Sequence, residues 1–233
     1  MQLFYIPDID NKSIVLPEEE SRHCVKVLRL EQGELIHLTD GKGWVFQAEI
    51  IDPNPKKCGI RVVSEEKVPE VEWHIHIAVA PTKNSDRIEW FVEKVVELGI
   101  QEISFIQSER SERKSLNQDR MMKVAVSAMK QSLKFHLPKI NPLIKLKEFT
   151  DKNPGGELYV AHLLESEEKK HLKDVARPGG KYTVLIGPEG DFSPSEIENL
   201  LNKKWKPVTL GNNRLRTETA ALAACHILNL INE

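Results

Sequence analysis

Cysteine is scarce and poorly spaced for chemistry: Cys24, Cys58 and Cys225 are the only three, an odd number with no CxxC pair. That spacing argues against a disulfide framework and against a zinc cluster, so three buried thiols in a reducing compartment are expected. Long hydrophobic runs are missing as well. No apolar stretch approaches the ~20 residues that a membrane span needs, and the opening MQLFYIPDID has no basic stretch ahead of an apolar core. The expectation is a soluble cytoplasmic protein with no metal and no membrane segment. Neither G-x-G-x-x-G nor G-x-x-x-x-G-K-[ST] occurs. A nucleotide-dependent metabolic enzyme and a Rossmann-type methyltransferase both lose their main sequence support. An excess of one charge is also absent, with 33 Lys and Arg against 35 Asp and Glu for a net −2. Any RNA site must therefore be a local patch.

What is present is ordinary globular composition: 233 residues, 40% hydrophobic and 29% charged. A chain of this length buries a sizeable core without staples and makes one large domain or two smaller ones. Residues 1–70 carry nine Lys and Arg against thirteen Asp and Glu; residues 71–233 carry twenty-four against twenty-two.

The first 70 residues read mostly as strands: LIHLTD (35–40), WVFQAEII (44–51) and GIRVVS (59–64), with turns at Asp40–Gly43 and at Pro53-Asn54-Pro55. One helix is expected at about 17–29, with Pro17 at its first position, Glu18, Glu19 and Glu20 near its positive end, and Lys26 and Arg29 in its last turn. Short strands at close spacing suggest a small barrel. The polar stretch 64–72 marks a boundary, giving domains 1–70 and 71–233. Beyond it strands and helices alternate. HIHIAVA (74–80), EISFIQ (102–107), ELYVAHL (157–163), KYTVLIG (181–187) and KPVTL (206–210) read as strands. Helices are expected at 84–99, capped by Asn84 or Ser85 and stopped by Gly99, at about 117–135, within 165–176, at 194–203 and at 217–231. On the 117–135 helix the apolar face reads as Met122, Ala125, Val126, Met129 and Leu133. The last helix is apolar almost all round from Ala220 to Ile231, which suits burial in an intramolecular core or at an interface. The fold class is α/β with a mainly parallel sheet covered on both faces, preceded by a small β-barrel.

Two loops carry the chemistry. In 185–194 Gly187, Pro188 and Gly190 turn the chain sharply with little side-chain bulk, and Ser193, Pro194 and Glu196 form a capping box for the next helix. A plain strand–turn–helix link and a site of close ligand approach fit this loop equally well. In 210–220 Gly211, Asn212 and Asn213 favour a tight turn, then Arg214 and Arg216 precede a helix that Thr217 can cap. Arginines beside a helix N-terminus suit an anion or a carboxylate. Both loops would leave the carboxyl ends of strands, where open α/β sheets bind ligands.

A basic series completes the reading. Arg120, Lys123, Lys130 and Lys134 fall on one face of the 117–135 segment, with Arg110, Arg113 and Lys114 just before it. Phosphate contacts and an ordinary solvated face both fit. His74 and His76 alternate on one strand without a third ligand at metal spacing.

IGPEGDFS (186–193) and LGNNRLRTETAA (210–221) strongly resemble the two cofactor loops of RsmE methyltransferases, a branch of the SPOUT superfamily. HCVKVLR (23–29), Lys83 with EKVVELGI (93–100), SERS (108–111) and SAMKQSLK (127–134) resemble further family segments in the same order, so the likeness spans nearly the whole chain. Asp191 stands where glycine is frequent, and Asn213 with Arg214 replaces an arginine-then-aliphatic pair, moving the basic charge by one residue.

The resemblance implies a C-terminal SPOUT domain with a deep trefoil knot, an N-terminal PUA-like RNA-binding barrel, and a homodimer. It implies S-adenosyl-L-methionine as cofactor and transfer of its methyl group to nitrogen 3 of a uridine in 16S ribosomal RNA, free or in the small ribosomal subunit. The cofactor residues would be His162 and Leu163; Ile186, Gly187, Pro188, Glu189 and Gly190; and Leu210, Gly211, Leu215, Arg216 and Thr217. RNA would be met by His23, Arg29, Lys83, Arg110, Arg113, Arg120, Lys123, Lys130, Lys134 and Arg214. Arg216 is the candidate for stabilising charge on the uridine, and Glu189 or Glu218 for accepting its proton. A non-catalytic RNA-binding protein is the competing reading, separated by titration with the cofactor.

Overall fold

The structure is a computed structural model that describes residues 2–9, 14–163 and 169–233. The chain divides into two compact units, Met1–Glu70 with Met129–Leu137, and Val71–Ala128 with Pro138–Glu233. The first unit thus takes residues 129–137, which a boundary at 70 alone assigns to the second. Backbone bonds explain their place: Gly43 N–H donates to Phe135 O at 2.9 Å and Leu137 N–H to Gly41 O at 2.8 Å.

In the first unit five strands, β1 (Leu3–Tyr5), β2 (Ile14–Val15), β3 (Leu35–Thr39), β4 (Trp44–Asp52) and β5 (Gly59–Lys67), form one sheet in the order β1–β3–β4–β5–β2. Alternation sets its inner face. Phe46, Ala48 and Ile50 of β4 are buried with Ile36, Leu38 and Ile60, while Val45, Gln47 and Glu49 are only half-buried and Ile51 is exposed. The β3–β4 turn forms as read: Asp40 Oδ1 accepts from Lys42 N–H at 2.7 Å and Trp44 N–H at 3.1 Å, and Gly41 and Gly43 supply φ of 72° and 93°. The expected 17–29 helix is shorter. Helix α1 (Glu18–Arg22) runs into a π-helical turn at His23–Val27, and Pro17 is its N-cap rather than its first helical residue. Ser21 ties α1 down, donating to Leu16 O at 2.8 Å and accepting from Cys58 N–H at 2.9 Å. Arg29, at φ 58°, ends the segment. Cys24, Cys58 and Cys225 are all buried and unbridged. Burial pushes the Cys24 and Cys225 thiols up to about 12, with the neighbouring Cys58 adding to the effect on Cys24.

In the second unit seven strands, β6 (His74–Val79), β7 (Glu102–Gln107), β8 (Lys139–Lys145), β9 (Glu157–Ala161), β10 (Lys170–His171), β11 (Lys181–Ile186) and β12 (Lys206–Thr209), order as β10–β12–β9–β11–β6–β7–β8. Every pairing in this sheet is parallel. Helix α2 (Ser85–Leu98) has the predicted cap and stop: Asn84 Oδ1 accepts from Asp86 N–H at 2.8 Å, and Gly99 takes φ 89°. Its buried stripe is Ile88, Phe91, Val92, Val95 and Val96, at helical spacing.

Helix α3 (Gln118–Gln131) ends earlier than expected, and its stripe keeps Ala125 and Met129 but takes Met121 and Ala128 in place of Met122 and Val126. Met121, Ala125, Ala128 and Met129 are buried, whereas Leu133 is 41% exposed beyond the helix end at φ 54°. Adjacent methionines are indistinguishable by apolarity, so a pattern cannot choose Met121 over Met122. Strand β8 and helix α4 (Leu146–Asp151) had no reading in the sequence. Pro142 argues against a strand, yet β8 lies at the sheet edge, where a missing N–H is tolerated, and the β7–β8 register shifts between Ile103 and Phe105. Of the helix expected within 165–176, residues 165–168 lie outside the described residues. The described part is β10 followed by the single-turn α5 (Leu172–Val175). Helix α6 (Pro194–Asn202) packs Ile197 and Leu200 with Phe149, Val160 and Leu185. Helix α7 (Thr217–Leu230) packs on α2, β6, β11 and α5, which accounts for its apolar circumference by intramolecular burial, although Leu230 remains 62% exposed.

Candidate functional site

Parallel pairing brings three loops together. Ala161 of β9 is in register with Ile186 of β11 and with Val208 of β12, so all three strands end at one edge of the sheet. The segments that leave there begin at residues 162, 187 and 210.

The loop after β11 is built on Asp191. Its N–H donates to Pro188 O at 2.9 Å, closing a tight turn, and its φ of 61° is left-handed. Asp tolerates that region better than most residues. Here the side chain also bonds, with Oδ1 accepting from Phe192 N–H and Oδ2 from Leu163 N–H, each at 2.8 Å. A glycine at this position would supply the φ but neither bond. Gly187 is tight: a Cβ there would meet the Phe192 ring at 3.2 Å and Asp191 at 3.3 Å. The predicted capping box forms, with Glu196 N–H donating to Ser193 Oγ at 3.3 Å and Ser193 N–H to Glu196 Oε2 at 2.9 Å.

The loop after β12 turns at Thr209, whose hydroxyl donates to Gly211 O at 2.8 Å, and Gly211 takes φ 137°. Thr217 does not cap α7 as expected. Arg216 holds the N-cap position without a side-chain bond, and Thr217 is the first helical residue. Its hydroxyl instead crosses to the other loop and donates to Gly187 O at 3.1 Å. The first N–H groups of α7 are thus left without a side-chain cap.

Between the loops lies a cavity of about 430 Å³, within the range of ordinary small-ligand sites. Ala161, Ile186, Val208, Leu210 and Leu215 give it apolar walls, and Arg87, Arg214 and Arg216 place three cations on it. Of the residues expected to hold a cofactor, all line the cavity except Gly190, whose carbonyl accepts from Arg110 at 2.9 Å. Glu189 lines it too, at an exposed position, and accepts from Lys83 N–H at 3.1 Å. Glu218 is not among the lining residues. It is buried in the first turn of α7, with Oε1 3.7 Å from Arg87 Nε and Oε2 without a partner among the described residues. Arg87 was not anticipated. It stands 131 positions before Glu218, and no local pattern connects the two.

His162 is buried on the cavity wall. Burial, then the nearby Lys169 ammonium, hold its imidazole below the ordinary histidine range, with Asp191 opposing. The ring is therefore neutral at neutral pH.

The expected RNA residues divide by what they already hold. Arg113 donates through Nε to Thr82 O at 2.9 Å and through Nη2 to Lys83 O at 2.6 Å, so with Arg110 it braces loops. Lys83 pairs with Glu112 at 2.9 Å. Arg120 forks onto Glu89 at 2.6 and 3.0 Å, and Lys130 pairs with Glu20 at 2.5 Å. Lys123, Lys134, Arg214, His23 and Arg29 are exposed, with Lys134 past the end of α3. Among the described residues no group of three or more His, Cys, Asp or Glu is placed to hold a metal, and no helix is long and apolar enough to cross a membrane.

A sequence model described as an RNA methyltransferase domain matches residues 69–229, and one described as an RNA methyltransferase PUA domain matches residues 16–63. Ribosomal RNA small subunit methyltransferase E of Rickettsia conorii is 31% identical over 225 residues, 95% of this chain and 91% of its own length. The chain belongs to the RsmE family of RNA methyltransferases. Its structure resembles that of a probable rRNA-methyltransferase from Porphyromonas gingivalis, with a TM-score of 0.93 and 41% identity covering 100% of this chain and 98% of that one. It also resembles ribosomal RNA small subunit methyltransferase E from Neisseria gonorrhoeae bound to S-adenosyl methionine, with a TM-score of 0.90 and 28% identity over 100% and 98% of the two chains. The whole cavity falls inside the segment matched to the RsmE methyltransferase domain, and β3 and β4 fall inside the segment matched to its PUA domain.

Proposed function

We propose that the chain is an S-adenosyl-L-methionine-dependent methyltransferase that methylates nitrogen 3 of one uridine in 16S ribosomal RNA. The observation that carries this is the Thr217–Gly187 bond, which closes two family loops around one cavity. The residues fit the cofactor. Five apolar side chains make a slot for a flat base, the tight Gly187 brings backbone close, and the uncapped α7 N-terminus beside Arg216 suits a carboxylate. When bound, the cofactor supplies a methyl group already activated by its sulfonium charge.

The chain's own residues then position and deprotonate the uridine, whose ring nitrogen is a poor nucleophile until its proton leaves. Glu189 accepts that proton in this reading, which its exposed position on the cavity lining supports. Glu218, the alternative acceptor, is buried against Arg87 and is better suited to orienting that arginine. Arg216 stabilises the charge left on the uracil. A base that reacts at its pairing face has to be unpaired or extruded, and Arg214, Lys123, Lys134, His23 and Arg29 are the exposed groups for holding the surrounding RNA.

The proposed domains are a PUA-like barrel in 1–70 and a SPOUT domain in 71–233. A trefoil knot in the latter is supported by the strand order, in which β11 lies between β6 and β9 while α7 returns to pack on β6 and β11. A homodimer is supported by the apolar Leu230 left exposed on α7, and a cytoplasmic location is part of the same reading. The decisive test is mass spectrometry of ribosomal RNA from a strain lacking the protein. One methyluridine should disappear and return on complementation; an unchanged set of modifications refutes the activity. If Glu189→Gln retains full turnover while folded, the assignment of the base is wrong.

A further inference from the structure

Both ring nitrogens of His162 are buried, and neither has a hydrogen-bond partner among the described residues. Buried polar atoms are rarely left unpaired, because their desolvation is then uncompensated. His162 leaves the carboxyl end of β9, on the wall of the cavity between the two loops. A ring so placed takes its partner from what the cavity holds. A neutral imidazole is adaptable here, since its tautomers let a given nitrogen either donate or accept.

We propose that His162 is the charge-selective contact of the cavity: as a neutral ring it hydrogen-bonds the adenosyl ligand, and as a cation it rejects the sulfonium form while tolerating the neutral thioether product. This inference rests on the adenosyl reading of the cavity given above. Its physical basis is distance. A sphere of about 430 Å³ is about 9 Å across, which sets the scale of the distance between a sulfonium in the cavity and a ring on its wall. Two unit charges at that separation in a protein interior repel enough for roughly a tenfold loss of affinity.

The charges around the ring set when this operates. The Lys169 ammonium sits 2.7 Å from the His162 carbonyl and disfavours protonation; Asp191 favours it. Arg87, Arg214 and Arg216 line the same cavity, as does Glu189. Because the ring resists protonation, the two ligands bind alike with respect to this contact at neutral pH and diverge only in acid.

The test is calorimetric titration of the full chain with S-adenosylmethionine and with S-adenosylhomocysteine from about pH 8 to about pH 5. The ratio of the two affinities should be flat at neutral pH and shift progressively against S-adenosylmethionine on the acid side, toward a limit of roughly tenfold for a fully protonated ring. His162→Gln, which hydrogen-bonds but does not titrate, should abolish the shift; His162→Leu should weaken both ligands at every pH and also abolish it. A flat ratio in the wild-type protein overturns the proposal whatever the variants do, and so does a shift that survives in His162→Gln. Failure of the wild-type protein to bind either ligand at neutral pH overturns the adenosyl reading itself, which separates the two outcomes.

Discussion

The Thr217 hydroxyl donates to the Gly187 carbonyl at 3.1 Å, and the bond is buried. The two residues lie 30 positions apart and belong to different loops. Thr217→Val keeps the shape and leaves the carbonyl unpaired, which costs about 1–2 kcal/mol. The expected result is a lower thermal midpoint together with weaker cofactor binding, because the strain falls on the cavity itself. Normal cofactor affinity in a destabilised Thr217→Val protein would show that the bond serves the fold alone.

Asp191 sets two effects against each other. Its φ of 61° is strained for a residue with a Cβ, while its carboxylate holds Leu163 and Phe192. Asp191→Gly relieves the strain and loses both bonds; Asp191→Ala loses the bonds and keeps the strain. Stability by thermal melting should therefore rank Asp above Gly above Ala, with the Ala variant lower than Gly by about 1 kcal/mol. If Gly exceeds Asp, the two bonds contribute less than the strain they offset.

Arg87 and Glu218 should act as a unit. Glu218 is buried beside the arginine at 3.7 Å, and only Arg87 lines the cavity. Arg87→Met and Glu218→Gln are each expected to lower kcat/KM for RNA by about tenfold, and the double variant to be little worse than either single one. Independent, multiplying losses in that steady-state comparison would show that the glutamate does not work through the arginine.

Acid stability should depend on His76. Its Nε2 lies 2.7 Å from Ser104 Oγ and its Nδ1 3.4 Å from Thr183 Oγ1. Burial pushes it down to about 4, against the opposing charge of Glu102. The unfolded chain binds the proton near 6.5, so the neutral folded ring contributes fully above that pH. Its contribution, on the order of 3 kcal/mol, is lost as pH falls from about 6.5 through about 4. Denaturant titrations of the wild-type protein and His76→Gln across that window should give a steeper decline for the wild type, and parallel declines would refute the assignment.

Local chemistry made much of this protein legible in its sequence. Helix α2 was readable to its cap at Asn84 and its stop at Gly99, because helix termini are decided by side chains within a few residues. The loops at 185–194 and 210–220 were readable as tight turns because glycine, proline and asparagine restrict or release the backbone wherever they stand. What depended on distant partners was not readable. Strand β8, which contains Pro142, went unread because only the sheet decides that it lies at an edge, where a missing N–H is tolerated. Thr217 read as a cap until the fold offered the Gly187 carbonyl. Arg87 joined the cavity, and Glu218 was buried beside it, only because α2 and α7 pack together. Sequence determines which backbone turns and helix ends are possible, since those energies are local. Only the tertiary structure decides which polar group finds which partner, since that choice depends on proximity between residues far apart in the chain.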